Sequence, residues 1–336
     1  MSDAASAVQA ERPAPSARAS LERLRVTRRG VQIALGVIWL LDGILQFQHF
    51  MYTHAFISEV IEPTAAGQPS FIRDPILTFA HFYSHDLTLW NTLAAEIQCF
   101  IGLGLIFGGR VLKPALLTSY FWAFVVWWFG EGFGPLFNGA PVSPLMGAPG
   151  AVFLYLLIGL LVWPKDDNAS GKPIDGGLLG RFGGRVVWSV IWLEAAVLWL
   201  LHVDRSKEAI KGQIMEMAEG APHWLATAQT SLAKDLRGDG VTVATVLAVL
   251  SALIALGVWT RARPAVLVLG GALGLLYWIY GQSLGGPFWM GEATDVNSGP
   301  LLVLLAAAVW AVPSPARRTA AARERAHSRE VTVGAT

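Results

Sequence analysis

The sequence has little charge and almost no cysteine. Only 15% of its 336 residues are Asp, Glu, Lys or Arg, and Cys99 is its single cysteine. One cysteine excludes an intrachain disulfide framework. The chain also lacks a phosphate-binding Walker A loop, a dinucleotide fingerprint, a zinc-protease helix and a haem-attachment Cys-x-x-Cys-His. Its basic residues are spread over several connections, which argues against a nucleic-acid partner.

Apolar surface is what the chain has instead. Hydrophobic residues make up 54% of it, with 14 tryptophans, more than a soluble domain normally carries. Apolar stretches near the roughly 20 residues that cross a bilayer occur at 31–50, 88–108, 112–130, 149–163, 185–203, 241–259, 264–281 and 299–312. We therefore expect an all-α integral membrane protein with eight transmembrane helices, whose first partner is the lipid bilayer.

The two halves of the sequence resemble one another. Ile191-Trp192-Leu193 repeats Ile38-Trp39-Leu40 at a spacing of 153 residues. In each half an aromatic run, one beginning at Trp127 and the other at Tyr277, breaks into a Gly/Pro loop. These matches predict a duplicated four-helix unit. Because each unit has an even number of spans, the two repeats should be parallel, with a groove between them.

The distribution of basic residues predicts the orientation and the domain boundaries. Nineteen of the 25 Lys and Arg lie in the ends and in alternate short connections, so both termini should be cytoplasmic at the plasma membrane. We predict the following organisation: a disordered N-terminus at 1–29, a first repeat at 30–164, a linker at 165–184, a second repeat at 185–313 and a disordered tail at 314–336. The long outer connections, 51–87 and 204–240, should each form short lid helices.

Polar side chains inside the spans indicate a site, because an ionisable group in hydrocarbon is costly and normally faces protein or water. They are Asp42, Gln46, His49, Glu96, Trp127, Trp128, Glu131, Glu194 and His202. Asp42, Gln46 and His49 share one helical stripe. We predict an outward-facing polar pocket with Asp42, Glu96 and Glu131 as catalytic acids and the others as cofactor-binding residues. The alternative is that these groups hydrogen-bond one another and lock the helix packing.

The first half carries more of this chemistry than the second. In the repeat alignment Asp42 falls opposite Ala195, and Glu131 falls opposite Gln282. The working site should therefore lie mainly in the first half, with Glu194 and His202 reaching it across the groove.

His81 and His85 form a second, separate candidate. Their spacing would place two imidazoles on one helical face beside Asp86, with His49 or His54 near the same mouth. This pattern predicts a zinc or copper site. Interfacial histidines that meet only water and headgroups are the alternative, and a haem between His49 and His202 is a further one.

The second span resembles the DoxX/DoxD family of small membrane proteins. The resemblance rests on Glu96-Ile-Gln-Cys-Phe-Ile-Gly-Leu-Gly-Leu-Ile-Phe-Gly-Gly-Arg110. That family typically shows an acid in this helix, followed by a glycine and a Leu-rich run that ends Gly-x-x-Arg. It implies that each half is one four-helix DoxX-like unit, and it implies quinone-linked or thiol/sulfur redox chemistry at the outer face. The spacing of glycine after Glu96 and the missing acid in the second half depart from the family pattern.

Three functions follow from these patterns. A membrane oxidoreductase subunit would seat a quinone headgroup against Trp127 and Trp128 and exchange protons through Glu96 or Asp42, with a redox protein as its partner. A scaffold or chaperone would bind a partner protein through its lids. A proton-coupled transporter of small solutes would need polar residues along the inner halves of the spans, which are apolar. The redox function accounts best for the internal acids.

The predicted topology is testable by cysteine labelling. In a chain whose Cys99 is replaced by serine, Ser231→Cys should react from outside the cell with a membrane-impermeant thiol reagent, since it lies in an outer connection. Ser170→Cys, in the predicted cytoplasmic linker, should react only after the membrane is permeabilised. Labelling of Ser170→Cys in intact cells would contradict the topology.

Overall fold

The computed structural model describes residues 26–134, 136–139, 142–165, 174–201, 205–236, 238–286, 289 and 291–310. Within these ranges the protein is helical and contains no strand. Its α-helices are α1 (Arg28–Leu45), α2 (Ser70–Ser84), α3 (Leu87–Phe107), α4 (Leu112–Phe129), α5 (Ala151–Leu161), α6 (Gly180–Leu198), α7 (Ala209–Ala218), α8 (His223–Asp235), α9 (Gly240–Gly257), α10 (Arg263–Gly281) and α11 (Ser298–Val309). The predicted disordered ends lie largely outside the described residues, as does most of the linker.

Each of the eight predicted spans overlaps one of these helices. Four regions are long and apolar enough to cross a membrane, namely Leu87–Phe107, Gly109–Phe129, Gly240–Gly257 and Arg263–Gly281. The α1 and α6 helices are long enough but each carries two arginines and one acid. The α5 and α11 helices have 11 and 12 residues, which at about 1.5 Å per residue is roughly half of a hydrocarbon core.

The helices pack in the same order in both halves. In the first half, α1 packs on α3, α3 on α4 and α4 on α5; in the second, α6 packs on α9, α9 on α10 and α10 on α11. The two short helices, α5 and α11, pack against each other where the halves meet. One buried core runs through both halves, and Trp39, Tyr155, Trp188 and Trp192 are among its largest side chains.

The two long connections form lids over one end of the bundle, but with different structures. The first lid, residues 46–86, contains 3₁₀ turns, a π-helical turn at Phe56–Ile61 and the helix α2. It has a small core of its own, made of Met51, Phe56, Ile57, Ile61, Ala65, Ile72, Ile76, Ala80, Tyr83 and Leu87. The described part of the second connection contains two helices, α7 and α8, as the sequence predicted.

Glycines bring α1 and α3 into close contact. A Cβ atom on Gly102 would lie 2.6 Å from the backbone nitrogen of Leu40 and 2.8 Å from the carbonyl oxygen of Gly36. Small residues at a helix crossing let two backbones approach closely, which is the common packing device of helices in membranes. This contact fixes the position of α1, the helix that carries Asp42.

This packing generates a stability prediction. Gly102→Ala should lower the free energy of unfolding by about 1–3 kcal/mol, because the new methyl group meets backbone atoms that cannot turn away. Gly212→Ala is the matched control, since Gly212 lies in α7 with no atom within 4 Å of the added Cβ; there the better helix propensity of alanine should stabilise by up to about 1 kcal/mol. Thermal unfolding of the purified protein in detergent measures both. Equal melting temperatures would contradict the packing account.

Candidate functional site

A cavity lies beneath the first lid and between the two halves. Its volume is about 110 Å³, enough for several water molecules. Most of its wall is apolar or aromatic, from Trp39, Phe56, Val60, Ile61, Phe79, Tyr83, Trp122 and Phe129. Its polar lining includes Asp42, Gln46, Gln98, Glu131, Thr294 and Asp295. A concave apolar space with a few convergent polar groups is the usual form of a small-molecule site.

Asp42 is the most deeply buried of these acids, with 3% of its surface exposed. It lies on the same face of α1 as Trp39 and Gln46, three and four residues away, so all three reach the cavity. The Tyr155 hydroxyl, on the short helix α5, donates a hydrogen bond to its Oδ2. Its Oδ1 is buried and accepts no well-aligned hydrogen bond among the described residues, but the backbone N–H of Val296 lies close enough to interact with the carboxyl group.

Glu131 caps the start of α5. It lies just after the end of α4, and its Oε1 accepts a hydrogen bond of 3.1 Å from the backbone nitrogen of Val152. The free amides and the dipole at a helix N-terminus favour such a carboxylate. The residue as a whole is half-buried, but its Oε2 is buried and has no partner in the described part of the chain. Burial, and then the acidic neighbour Asp295, raise the pKa of Glu131 to about 8.

Asp295 is an acid that the sequence analysis missed. It belongs to the second half, in the loop before α11, and it enters the cavity of the first half. Two hydrogen bonds hold this loop in place: the Gln48 side chain donates to the carbonyl of Ala293 at 2.9 Å, and Trp278 Nε1 donates to that of Val296 at 2.8 Å. Asp295 accepts from Asn297 and Thr294, and burial raises its pKa.

Glu131 and Asp295 also line a second, more polar cavity. It has a volume of about 320 Å³ and includes Thr64, Ser143 and Asn297 in its wall. The two carboxyl groups therefore lie between this polar space and the apolar cavity that holds Asp42. None of the ion pairs among the described residues involves any of the three acids. Protons, rather than a basic side chain, are the available means of neutralising them.

Corresponding contacts occur in the second half without the acid. Trp127 Nε1 donates to the carbonyl of Pro149 at 3.0 Å, as Trp278 does to Val296. Gln282 Oε1 accepts from the backbone nitrogen of Gly299 at 3.1 Å, at the start of α11. An amide thus caps the second short helix where a carboxylate caps the first. The cap itself does not require an ionisable group, but Glu131 supplies one.

The structure brings only some of the predicted site residues to the cavity. Asp42, Gln46 and Glu131 line it, but Trp127 and Trp128 do not. Trp127 stacks on Phe153, and Trp128 stacks on Phe129 beside the first lid. Sequence patterns gave no reason to choose Trp39, Trp122 or Gln98, because these residues look like ordinary residues of an apolar span.

The remaining predicted residues lie elsewhere. Glu96 and His49 are exposed, and Glu194 is half-buried on α6 away from the cavity. His202 lies outside the described residues. The rings of His81 and His85 are 4.7 Å apart and both residues are exposed. In the described part of the chain, no group of three or more His, Cys, Asp and Glu side chains is placed to hold a metal ion. His49 and His54 therefore do not complete the predicted zinc or copper site.

The chain has no match among known proteins in three comparisons. No protein-family model, no curated protein sequence and no solved structure is similar to it at a significant level. Only the residues that line the cavity therefore indicate what it binds.

The cap formed by Glu131 generates a prediction about stability. Glu131→Gln should match the melting temperature of the parent at about pH 4.5 and below, where Glu131 is neutral in both the folded and the unfolded state, because Gln282 shows that an amide oxygen caps such a helix. At neutral pH the variant should melt above the parent, because an amide releases no proton on unfolding. Glu131→Ala should lose about 0.5–2 kcal/mol, as expected for a lost N-terminal cap. Thermal unfolding in detergent distinguishes the two variants, and a glutamine variant as unstable as the alanine variant would contradict this role.

The raised pKa of Glu131 predicts a pH dependence. Its ordinary value of 4.5 rises to about 8 in the folded protein, so between these values the folded state holds a proton that the unfolded chain releases. The resulting stabilisation is complete below about pH 4.5 and is lost as the pH rises through about 8. Melting temperatures of the parent should therefore fall over this window, and those of Glu131→Gln should fall less. Parallel curves would show that Glu131 is not the group responsible.

Proposed function

We propose that the cavity binds the headgroup of a membrane quinone and that the protein is a subunit of a membrane oxidoreductase. The observation that supports this best is a set of buried polar atoms without partners in the described residues, on side chains that line the cavity. Two are donors, Trp39 Nε1 and Trp122 Nε1. Two are carboxyl oxygens, Asp42 Oδ1 and Glu131 Oε2, whose carboxyl groups also interact with the backbone N–H groups of Val296 and Ala151. Unpaired buried polar groups are costly and rare, so a ligand that completes them is the simplest account.

A quinone has the chemistry that these atoms lack. Its carbonyl oxygens accept hydrogen bonds from indole N–H groups, and its hydroxyl groups, once it is reduced, donate to carboxylates. The ring would lie among the aromatic side chains of Trp39, Phe79 and Phe129. A quinone takes up protons together with electrons when it is reduced.

The acids would supply those protons. Asp42 has no access to the second cavity, whereas Glu131 and Asp295 line both spaces. With a pKa of about 8, Glu131 holds a proton at neutral pH and can release it with little cost. The three carboxyl groups thus form a route by which protons move between the ligand and the polar cavity. The resemblance to DoxX/DoxD proteins is consistent with this chemistry, including its thiol/sulfur form.

We further propose that the eight helices that overlap the predicted spans all cross the membrane, with α2, α7 and α8 in the two lids. We also propose that the halves are duplicated units and that both termini are cytoplasmic. The shared packing order and the matching contacts of Trp127 with Trp278 and of Glu131 with Gln282 support the duplication. The short helices α5 and α11 would span only together with the irregular segments before them. Such irregular backbone is tolerated at membrane depth where it lines a cavity, as both segments do here.

Binding of a short-chain ubiquinone analogue tests the proposal. The purified protein in lipid nanodiscs should show saturable quenching of tryptophan fluorescence, since two tryptophans line the cavity. Trp122→Phe keeps the ring and removes the donor, and should weaken binding by about two- to tenfold. Asp42→Asn should alter the affinity for the oxidised and reduced analogues unequally, because the amide can donate where a carboxylate cannot.

The controls separate this site from others. Asp235→Asn, an exposed acid at the end of α8, should leave the affinity unchanged. An analogue of the same size without carbonyl groups should bind more weakly than the quinone. Equal affinities for the two compounds, or for the parent and Trp122→Phe, would overturn the proposal.

A further inference from the structure

Helix α3 presents a regular stripe of exposed side chains that faces away from the rest of the described chain. The stripe comprises Leu89, Leu93, Glu96, Phe100, Leu103 and Phe107. These positions are separated alternately by four and three residues, the spacing that forms the contact line between two long helices packed side by side. Five of the six are large and apolar. The sixth, Glu96, is the exception that needs an explanation.

Glu96 lies near the middle of α3. It is the tenth of 21 residues, so it is roughly 14–17 Å from either end of the helix. A glutamate at this depth is too short to reach the headgroups at either face of a bilayer about 30 Å thick. Among the four apolar regions long enough to cross a membrane, it is the only exposed ionisable side chain more than one turn from an end. Within the described chain it forms no hydrogen bond or ion pair.

An acid at the bilayer centre that faces lipid is expensive and is normally paired. Nothing in the described part of this chain offers a basic group at the same depth on an exposed face: the corresponding surfaces of α4, α9 and α10 carry Leu, Val and Phe. A second copy packed through the same stripe would place Glu96 against Glu96, like against like. Charge complementarity therefore favours a different chain.

We infer that the exposed stripe of α3 binds a transmembrane helix of another protein that carries a lysine or arginine near mid-span. The apolar residues supply the contact surface, and Glu96 sets the register and the choice of partner, as a single polar residue does in other helix pairs. This inference is independent of the quinone proposal, since Glu96 does not line the cavity.

Designed peptides that carry the expected basic residue test this pairing directly. A leucine-based transmembrane peptide of roughly 20 residues with one central lysine, labelled with a fluorophore, is reconstituted in bilayers with the labelled full-length protein. Energy transfer between the two measures association. The same peptide with leucine at the centre, and one with the lysine moved two turns toward an end, are the controls. The lysine peptide should bind about five- to thirtyfold more tightly than either control.

Glu96→Gln should remove this preference, while Leu103→Gln, further along the same stripe, should retain it. Both variants must elute as single species in detergent. If Glu96→Gln fails this check, the three peptides compared on the parent protein still decide the matter. Equal binding of the three peptides would overturn the inference. Self-association of the parent that depends on Glu96 would also overturn it, in favour of a second copy.

Discussion

The whole arrangement depends on the cost of placing carboxyl groups in an apolar space without a basic partner. Asp42 is almost completely buried, and Glu131 Oε2 and Asp42 Oδ1 have no hydrogen-bond partner within the described residues. An ionised carboxylate in such surroundings would cost several kcal/mol. The structure places a tyrosine hydroxyl and helix N-terminal amides against these carboxyl groups. Burial also raises the pKa of Glu131, which favours its protonated form. Each of these devices leaves one oxygen available to a ligand.

Two short helices make this possible. Because α5 begins partway through the bundle, after an irregular segment, its N-terminal amides lie where Glu131 can accept from them. The described residues of the segment before α11 are also largely irregular, and this lets Asp295 reach the first half. A continuous helix at either place would satisfy its own backbone groups and leave no room for the cavities. The second half retains the same construction with Gln282, so the architecture and the acid chemistry are separable.

The sequence predicted the helices better than the site. The apolar stretches predicted the positions of eight helices to within a few residues, because hydrophobicity is a property of each segment alone. These are α1, α3, α4, α5, α6, α9, α10 and α11. The helices α5 and α11 are shorter than the apolar stretches that predicted them, because the apolar residues around Ala151 and Ser298 continue the pattern without continuing the helix. The DoxX-like topology and the oxidoreductase function stay predictions.

Which acidic side chains line the same cavity depends on the tertiary structure. Asp42 and Glu131 were predicted from their positions near span ends, and both line the cavity. Glu96 is grouped with them as an ionisable residue inside a predicted span. It is exposed, however, whereas Gln98, two residues further along the same helix, lines the cavity. Asp295 lies in a loop outside every predicted span, so the sequence patterns do not select it. Asp295 lies just before the last apolar stretch, as Gly150 lies just before α5 in the first half. This position is the one feature of the sequence that indicates a role for Asp295.

Infrared spectroscopy of the carboxyl groups tests the central claim most directly. A protonated carboxylic acid has a carbonyl stretching band that is separate from those of carboxylates and amides. At neutral pH the parent protein should show such a band, Glu131→Gln should lack part of it, and a bound quinone analogue should shift it. A parent spectrum without a protonated acid at neutral pH, or a band that neither the variant nor the analogue changes, would contradict the account.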